Sequence, residues 1–284
     1  MSVYENTNGM PMSDGRNLHM QTARGEVANR IVVVGTSSRA KVIASLFDSD
    51  PAPQTITSTR GFLTITGYYR GVHVSVVAIG MGPSMMDFFV REARAVVEGP
   101  MAVIRFGTCG GIVETASEGS IVVASAGSSF VARNYDYFPE QDIRDGQSEP
   151  YHLHKVAPSN TELSSHLVSE MESEVGADRV HKGLNVTADS FYSSQNRIDQ
   201  NFDDCNHDIL SRVVEKFPSA MTMEMETYLL LHLAQCCKVP IKASAAAIVV
   251  ANRQTARVID EETFNNLETQ GGRAVLNALT KLNV

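Results

Sequence analysis

The sequence predicts a single α/β domain built around a largely buried β-sheet flanked by helices. Three observations lead to this prediction. Short apolar segments alternate along the chain with stretches of helical periodicity, a pattern typical of α/β proteins. Hydrophobic residues make up 43% of the 284 residues, which is enough for a sizeable core. No repeat and no Pro/Gly/Ser-rich linker divides the chain, so one domain is favoured over two.

The predicted elements begin after a polar N-terminal segment. Residues 1–25 are rich in Asn, Ser, Met and Gly and lack periodicity, which predicts a flexible tail with His19 near its end and a domain at 26–284. Ile31–Gly35 has the pattern of a buried strand ended by glycine, and Arg39–Phe47 has helical spacing. The same alternation predicts strands at Val72–Ile79, Ala102–Phe106, Ser120–Ala126, Gly183–Ala188 and Ala243–Ala251, and helices at Met85–Val97, Glu226–Gln235 and Glu261–Leu282.

Two places depart from this alternation. Gly271 and Gly272 are poor helix formers and predict an interruption of the C-terminal helix. Asn134–Pro158 mixes aromatic, histidine and acidic residues without periodicity, which predicts a long surface loop. Loops of this length cover a site, build an interface or stay disordered, and the sequence leaves these three alternatives open.

Composition narrows the function classes. The formal net charge of −8 argues against a basic face that grips nucleic acid or an anionic membrane surface. Four cysteines without the paired spacing of a zinc site or a disulfide framework predict a reducing compartment and no bound metal. The longest apolar run, Ala245–Ala251, is far shorter than a bilayer span, and the N-terminus lacks signal-peptide features. We therefore expect a soluble, cytoplasmic protein.

The segment Arg105–Gly111 could bind an anion. It follows an apolar strand, so its arginine, its hydroxyl and its glycine amides fall at the carboxyl end of the sheet, where open α/β sheets bind ligands. A guanidinium offers paired donors to phosphate oxygens, and glycines let backbone N–H groups approach closely. An ordinary glycine turn beside a surface arginine explains the local pattern equally well.

Gly35 to Arg39 repeats this design after the first strand. A glycine is followed by three hydroxyl residues and an arginine at a predicted helix start, and a helix N-terminus favours an anion. The segment matches neither the dinucleotide fingerprint nor the P-loop pattern, so neither of those ligands is supported. Taken alone, the segment is more typical of a helix cap than of a site.

Two further segments carry polar groups suited to a nucleoside. Glu224-Met225-Glu226 opens an apolar helix, and a buried carboxylate there can accept hydrogen bonds from both ribose hydroxyls. Phe191, Gln195 and Arg197 combine an aromatic face, an amide and a guanidinium, which together match the two carbonyls and the N–H of uracil. A surface glutamate at a helix start and a polar loop are the commoner meanings of such segments.

In this order, these segments resemble the nucleoside phosphorylase-I family, and within it the uridine phosphorylase branch. The resemblance runs from about His19 to the final helix, and its strongest pieces are Arg105–Ile112, Thr187–Arg197 and Met223–Glu226. It implies a central mixed sheet and the reversible phosphorolysis of uridine to uracil and ribose 1-phosphate in pyrimidine salvage, with deoxyuridine or thymidine as further substrates. It implies no cofactor, since inorganic phosphate is the co-substrate.

The resemblance also implies roles for individual residues. Phosphate would bind at Gly35, Arg39, Arg105 and Thr108, with Arg60 supplied by a neighbouring subunit; ribose at Met225 and Glu226, with His19 supplied by the neighbour; and the base at Phe191, Gln195, Arg197 and Gly110. Arg105, Gln195, Arg197 and Glu226 would be the catalytic residues. Sites shared in this way imply a homodimer or an oligomer built from dimers.

Some positions depart from the family pattern. Thr36 stands where many relatives have Asp, and Gly61 replaces a Glu that helps hold a monovalent cation in some bacterial members, so we expect no metal here. Purine-specific relatives generally place an Asp at the position of Asn252-Arg253, so pyrimidine cleavage is favoured. A purine or broad-specificity phosphorylase, a related nucleosidase and a catalytically silent nucleoside-binding protein are the alternatives.

Overall fold

A computed structural model gives the structure of the chain and describes residues 8–137 and 149–284. The described residues form fourteen strands and six α-helices. The strands are β1 (Met12–Ser13), β2 (Arg16–Asn17), β3 (Arg30–Val34), β4 (Gln54–Thr57), β5 (Leu63–Tyr69), β6 (Val72–Ala78), β7 (Met101–Gly111), β8 (Ile121–Val123), β9 (Ser128–Arg133), β10 (Tyr151–Leu153), β11 (Val180–Lys182), β12 (Leu184–Ala188), β13 (Ala220–Glu224) and β14 (Ile241–Asn252). The helices are α1 (Ser37–Ala44), α2 (Pro83–Val96), α3 (Thr161–Val175), α4 (Ile209–Lys216), α5 (Thr227–Cys236) and α6 (Glu261–Thr280).

All strands except the β1–β2 hairpin belong to one twelve-stranded sheet. Its main path runs β10-β9-β12-β13-β7-β3-β6-β5-β4, while β14 pairs with β7 and β8, and β8 also pairs with β11. Strand β7 is parallel to β3 and β14 but antiparallel to β13, so the sheet is mixed. The prediction of a central, mixed, buried sheet flanked by helices is therefore confirmed. No helix within the described ranges is long and apolar enough to cross a bilayer.

The C-terminal helix differs from its prediction because it continues through Gly271 and Gly272. Both glycines are buried. A Cβ at Gly271 would overlap the ring of Phe106 on β7, and a Cβ at Gly272 would lie 2.9 Å from Ile43 on α1. The two glycines therefore let α6 pack closely on the sheet and on α1, and this packing outweighs their poor helix propensity.

The N-terminal segment also differs from the predicted tail. From residue 8 onward it forms the β1–β2 hairpin, and Asn17, Met20 and Thr22 are fully or almost fully buried. The Asn17 side-chain amide donates to the Thr22 hydroxyl at 2.9 Å and to the Glu92 carbonyl of α2 at 3.2 Å. Polar side chains hold this segment on α2, which a search for apolar periodicity does not detect.

The predicted loop at 134–158 contains strand β10, which pairs antiparallel with β9. Tyr151 of this strand is buried, and its hydroxyl donates to the carbonyl of Asp204 at 2.7 Å. The loop prediction is therefore wrong for residues 151–153, because this strand is too short to show a period. Residues 138–148 lie outside the described residues.

Candidate active site

One cavity of about 340 Å³ lies where four strands of the sheet end. Its walls come from the carboxyl ends of β3, β7, β13 and β14 and from the segments that follow β6 and β12. Carboxyl ends of neighbouring strands are the usual ligand-binding edge of an α/β sheet. Ten residues predicted for the site line this cavity: Gly35, Arg39, Arg105, Thr108, Gly110, Phe191, Gln195, Arg197, Met225 and Glu226.

Arg105 is a buried cation in the wall of the cavity. Its Nη2 forms ion pairs with the carboxylates of Glu226 and Glu224, the latter at 2.9 Å. Its Nη1 is buried and has no hydrogen-bond partner among the described residues. A buried guanidinium nitrogen without a partner is costly, so this atom is suited to an anionic ligand.

Gly107 makes the position of Arg105 possible. The Arg105 side chain extends along its own strand over Gly107, and a Cβ at Gly107 would lie 2.6 Å from Arg105 Cζ. Any side chain at residue 107 would therefore push the guanidinium away. The glycine-rich end of β7 thus makes room for the arginine as well as for a ligand.

Glu224 and Glu226 share Arg105 but differ in their surroundings. Burial alone would raise the pKa of Glu224, but Arg105 and the hydrogen bonds from Thr187 and Asn185 outweigh it and lower that pKa. Burial raises the pKa of Glu226, and the nearby charge of Glu224 adds to the rise. Glu224 thus keeps its negative charge to a lower pH than an ordinary glutamate, while Glu226 takes up a proton at a higher pH than an ordinary glutamate.

The two carboxylates also differ in their hydrogen bonds to the backbone. Glu224 accepts from the N–H groups of Glu226 and Thr227 at the start of α5, at 2.9 and 3.1 Å. Glu226 accepts from the N–H of Gly82 at 2.6 Å, and both glutamates line the cavity. Glu224 therefore anchors the helix start, while Glu226 has fewer hydrogen-bond partners and keeps the capacity to accept from a ligand. The anchoring role of Glu224 was not anticipated from the sequence.

Arg39 supplies a second guanidinium to the same wall. It lies in the first turn of α1, is buried, and its Nε donates to Glu268 of α6 at 2.8 Å. Burial lowers the pKa of Arg39, Glu268 opposes this change, and the nearby charge of Arg105 lowers it further. Two neighbouring guanidinium groups repel each other, so an anion between them would be stabilised.

The backbone around Arg39 is set by a helix cap. Thr36 is the N-cap residue of α1, and its hydroxyl accepts from the N–H of Arg39 at 3.3 Å. This hydroxyl does what an aspartate would do at the same position. Cys109, next to Thr108 on β7, keeps a neutral thiol because burial raises its pKa. The wall around the two arginines therefore gains no negative charge from either residue.

The other end of the cavity is built by a short 3₁₀ helix, Ser193–Gln195, and the residues around it. Arg197 Nη1 donates to Gln195 Oε1 at 2.9 Å, and Arg197 Cζ lies 3.7 Å from the centre of the Phe191 ring. Burial lowers the pKa of Arg197 to about 10, with a contribution from Arg253, so the side chain stays cationic at neutral pH. Gln195 and Arg197 thus form one unit, while Arg197 itself covers one face of Phe191.

Arg253 and Asn252 hold this end in place, and neither was predicted as a binding residue. Arg253 lines the cavity and donates to the backbone carbonyls of Gln195 and Asn196 at 2.9 and 3.2 Å. Asn252 is buried, and its amide donates to the carbonyls of Val113 and Ala116 at 2.9 and 2.8 Å. These contacts link the end of β14 to two distant segments, so local sequence gave no signal of them.

His19 and Arg60 lie outside this cavity. Arg60 is exposed in the turn between β4 and β5. The ring of His19 stacks on Phe88 with 4.1 Å between ring centres, and its Nδ1 lies 2.5 Å from Glu92 Oε1. Arg60 therefore lies on the surface of the chain and His19 lies half-buried against α2, and their assignment to a neighbour's site stays a prediction.

Comparison with known proteins agrees with this arrangement. The family model of the phosphorylase superfamily matches residues 29–282. The chain belongs to the phosphorylase superfamily. Among solved structures, a chain from a study of two diverse uridine phosphorylases in the oomycete Phytophthora capsici is 45% identical. The alignment covers 99% of this chain and 100% of that one, with a TM-score of 0.93.

Other relatives of this superfamily member are more distant. A Trypanosoma brucei nucleoside phosphorylase, described as showing uridine phosphorylase activity, is 19% identical, with a TM-score of 0.81 and coverage of 96% of this chain and 100% of that one; this likeness shows the fold alone. A purine nucleoside phosphorylase DeoD-type from Exiguobacterium sp. is 31% identical over 175 residues, which cover 62% of this chain and 67% of that protein. The chain spans about two thirds of the length of that relative and of a similar one from Lactococcus lactis.

Proposed function

We propose that this chain is a uridine phosphorylase, a pentosyltransferase that converts uridine and inorganic phosphate into uracil and ribose 1-phosphate, and the reverse. One observation carries the proposal: a single cavity combines a pair of buried arginines, a ribose-suited carboxylate and the Gln195–Arg197 unit. The 45% identity to a uridine phosphorylase structure over nearly the whole chain supports it. Deoxyuridine and thymidine are the further substrates to test.

In the proposed reaction, a phosphate oxygen held by Arg39, Arg105, Thr108 and the Gly35 turn attacks C1′ of the ribose. The C1′–N1 bond breaks as the new C1′–O bond forms, and the bonding electron pair leaves with uracil. Glu226 accepts from the ribose hydroxyls beside Met225, which fixes C1′ in line with the phosphate. Gln195 and Arg197 stabilise the negative charge on the departing base, with Phe191 and Gly110 beside it.

The alternative substrate is a purine nucleoside, and it is suggested by the DeoD-type relatives, which are named purine nucleoside phosphorylases. Asn252 argues against it. A purine base needs a proton on a ring nitrogen as it leaves, and the Asn252 side chain cannot give one because it is an amide. Its oxygen already accepts from the N–H groups of Gln254 and Thr255 at 2.9 and 3.0 Å. A catalytically silent binding protein is disfavoured by Thr36, because this residue caps α1 as an aspartate would.

The proposed function also implies an oligomeric state and a cellular location for the enzyme. A homodimer, or an oligomer built from dimers, would bring His19 and Arg60 to the ribose and phosphate of a neighbouring cavity. The enzyme would need no cofactor and no metal, would bind neither nucleic acid nor membrane, and would act in cytoplasmic pyrimidine salvage. The exposure of Arg60 and the position of His19 outside its own cavity support the shared sites.

The decisive experiment follows uracil release from uridine by ultraviolet absorbance, with and without inorganic phosphate. We expect release that depends on phosphate, and slower or no cleavage of inosine and adenosine. Release without phosphate would instead indicate a nucleosidase. Cleavage of purine nucleosides alone would overturn the assignment of the base pocket, and uridine binding without turnover would favour a silent binding protein.

A further inference from the structure

A glutamine side chain joins the two surface segments that carry His19 and Arg60. Gln21 Oε1 accepts from the N–H of Thr59 at 2.9 Å, and Gln21 Nε2 donates to the hydroxyl of Thr59 at 3.2 Å. Thr59 directly precedes Arg60, and Gln21 follows His19 by two residues. The two hydrogen bonds therefore fix two segments that are about forty residues apart in the chain relative to each other.

The backbone of Gln21 adopts a conformation that is costly for a non-glycine residue. Gln21 has a φ of +58°, in the left-handed region that glycine adopts freely and other residues adopt at a cost. Its carbonyl accepts from Arg16 Nη1 at 2.7 Å, and the same nitrogen donates to Glu26 at 2.7 Å. The surroundings thus hold the strained residue in place, as is typical of residues kept for a function.

The His19 side of this bridge is itself rigid. Glu92 of α2 is buried and accepts from the N–H groups of His19 and Met20 at 3.0 and 2.7 Å. It also contacts His19 Nδ1, while Phe88 supports the ring of His19. The Arg60 turn is anchored in the core by Phe62, but its tip is held less firmly: within the described residues its backbone hydrogen bonds lie within residues 58–62, and its hydrogen bonds to another segment are those to Gln21. Gln21 therefore restrains the Arg60 turn, because its two hydrogen bonds hold Thr59 against the rigid His19 segment.

We propose that Gln21 is a positioning residue that holds the His19 segment and the Arg60 turn as one unit, so that both enter the neighbouring subunit's cavity together. The inference rests on the proposed function, in which these two residues complete the neighbour's site. Gln21 itself touches no substrate. It acts by limiting the orientations of the Arg60 turn, and so it strengthens phosphate binding by the neighbouring subunit.

The test replaces Gln21 with glycine in the full-length oligomer. Gln21→Gly removes both hydrogen bonds and relieves the left-handed strain, so the variant should fold at least as stably as the parent. Calorimetric titration with inorganic phosphate alone should show a Kd raised on the order of tenfold, because the released Arg60 turn must then be ordered when phosphate binds. In an Arg60→Ala background the same change should add nothing.

Arg70→Gly is the matched control. Arg70 also has a positive φ, +52°, but it lies in the β5–β6 turn, is exposed and lines no part of the cavity. Its phosphate Kd should equal that of the parent. A Gln21→Gly variant with the same Kd as Arg70→Gly, or with an equal further loss in the Arg60→Ala background, would overturn the inference.

This design separates the inference from the proposed function. Phosphate titration needs no nucleoside turnover, so it gives an answer even if uridine is not the substrate. If Arg60→Ala leaves both phosphate Kd and uridine turnover unchanged, the shared site and the role of Gln21 are both wrong, while uridine phosphorolysis stands. If uridine is not cleaved but Gln21→Gly still weakens phosphate binding through Arg60, the substrate assignment is wrong and the positioning role stands.

Discussion

The position of Arg105 depends on a residue that makes no polar contact with it. Gly107 leaves the space that the guanidinium fills. Arg105 Nη1, which has no hydrogen-bond partner among the described residues, lies directly over Gly107. A strand glycine is usually a weak point because it loses much conformational entropy on folding. Here it is needed for the close approach of an arginine to the backbone.

Gly107→Ala should therefore disable the site while the fold persists. We expect the added methyl group to displace the Arg105 guanidinium and to lower kcat/KM for phosphorolysis by about a hundredfold or more, close to the loss of one oxyanion donor, about 2.7 kcal/mol. Steady-state kinetics with varied phosphate measure this loss. In an Arg105→Ala background, Gly107→Ala should have little further effect, and a full independent loss there would show that residue 107 acts by another route.

Asn252 gives a second prediction at the scale of a single residue. Its amide donates to two backbone carbonyls, so Asn252→Asp would set a carboxylate oxygen against both of them. We expect a loss of about 1–3 kcal/mol in the free energy of unfolding and no gain of inosine cleavage. Denaturant unfolding and a turnover assay test both parts.

The control for this change is Gln254→Glu, which makes the same conversion at an exposed neighbour and should leave stability almost unchanged. An Asn252→Asp enzyme that is as stable as the parent and cleaves inosine would contradict our account of the base pocket.

At the scale of elements, sequence periodicity predicted the buried centre of the sheet but not its edges. Strand β3 and helices α2 and α5 lie within a few residues of their predicted positions. Strand β7 extends five residues past its predicted end at Phe106, because pairing with β14 and β13 holds its glycine-rich half extended. Helix α3 has the spacing of Leu163, Leu167 and Met171 on one face and was not predicted, although its signal was present.

The residues of the candidate site likewise fall into two groups, those that the sequence predicted and those that it did not. Residues next to strand ends could be named from the sequence because the fold class fixes where strand ends meet. Their supports could not be named: Glu268 lies 229 residues from Arg39, and Glu92 lies 73 residues from His19. Such pairs arise only from packing between elements, and no local pattern records them.

The start of α5 gives a prediction about pH. The pKa of Glu226 is raised by burial, so its ionised form, which in the proposed site accepts from the ribose hydroxyls, is lost on acidification before that of an exposed glutamate. Nucleoside affinity without phosphate should therefore weaken as the pH falls toward the ordinary pKa of a glutamate, and calorimetry at a series of pH values measures this loss. Glu226→Gln should bind more weakly, without this pH dependence. An identical pH profile in parent and variant would remove Glu226 from the ribose site.

Unfolding at low pH would not explain this loss of nucleoside affinity, because neither glutamate destabilises the fold as the pH falls over the tested range. A carboxyl with a raised pKa in the folded state favours folding most at low pH, and this contribution fades as the pH rises through the folded pKa. Glu224 has a lowered pKa, so its contribution is present above the ordinary pKa of a glutamate and is lost only below it. Over the tested range, neither group makes the fold less stable as the pH falls.

At the scale of the whole molecule, the cavity and the His19–Arg60 surface belong to one chain but do not meet within it. Arg39 and Arg105 face the cavity, while Arg60 is exposed on the β4–β5 turn. In a two-fold symmetric dimer, each copy can offer its outer surface to the other's cavity, so two identical complete sites form at once. Activity would then depend on assembly, and damage to a site could come from either subunit.

Hybrid dimers should therefore recover activity from two inactive parents. One subunit carries Arg105→Ala, which damages its own cavity, and the other carries Arg60→Ala, which damages its partner's cavity. In the hybrid, the cavity of the Arg60→Ala subunit receives an intact Arg60 from its neighbour, while the second cavity lacks both arginines. Hybrids isolated with two different affinity tags should show about half the specific activity of the parent enzyme, because one of two equivalent sites is complete.

The matched control is a hybrid that carries Arg105→Ala in one subunit and both substitutions in the other. It contains no complete site, so any activity it shows measures contamination or subunit exchange. Recovery in the first hybrid but not in the second would place Arg60 at the neighbour's phosphate. Equal, low activity in both hybrids would mean that Arg60 acts on the cavity of its own chain. Full activity of the Arg60→Ala parent would mean that Arg60 serves neither cavity.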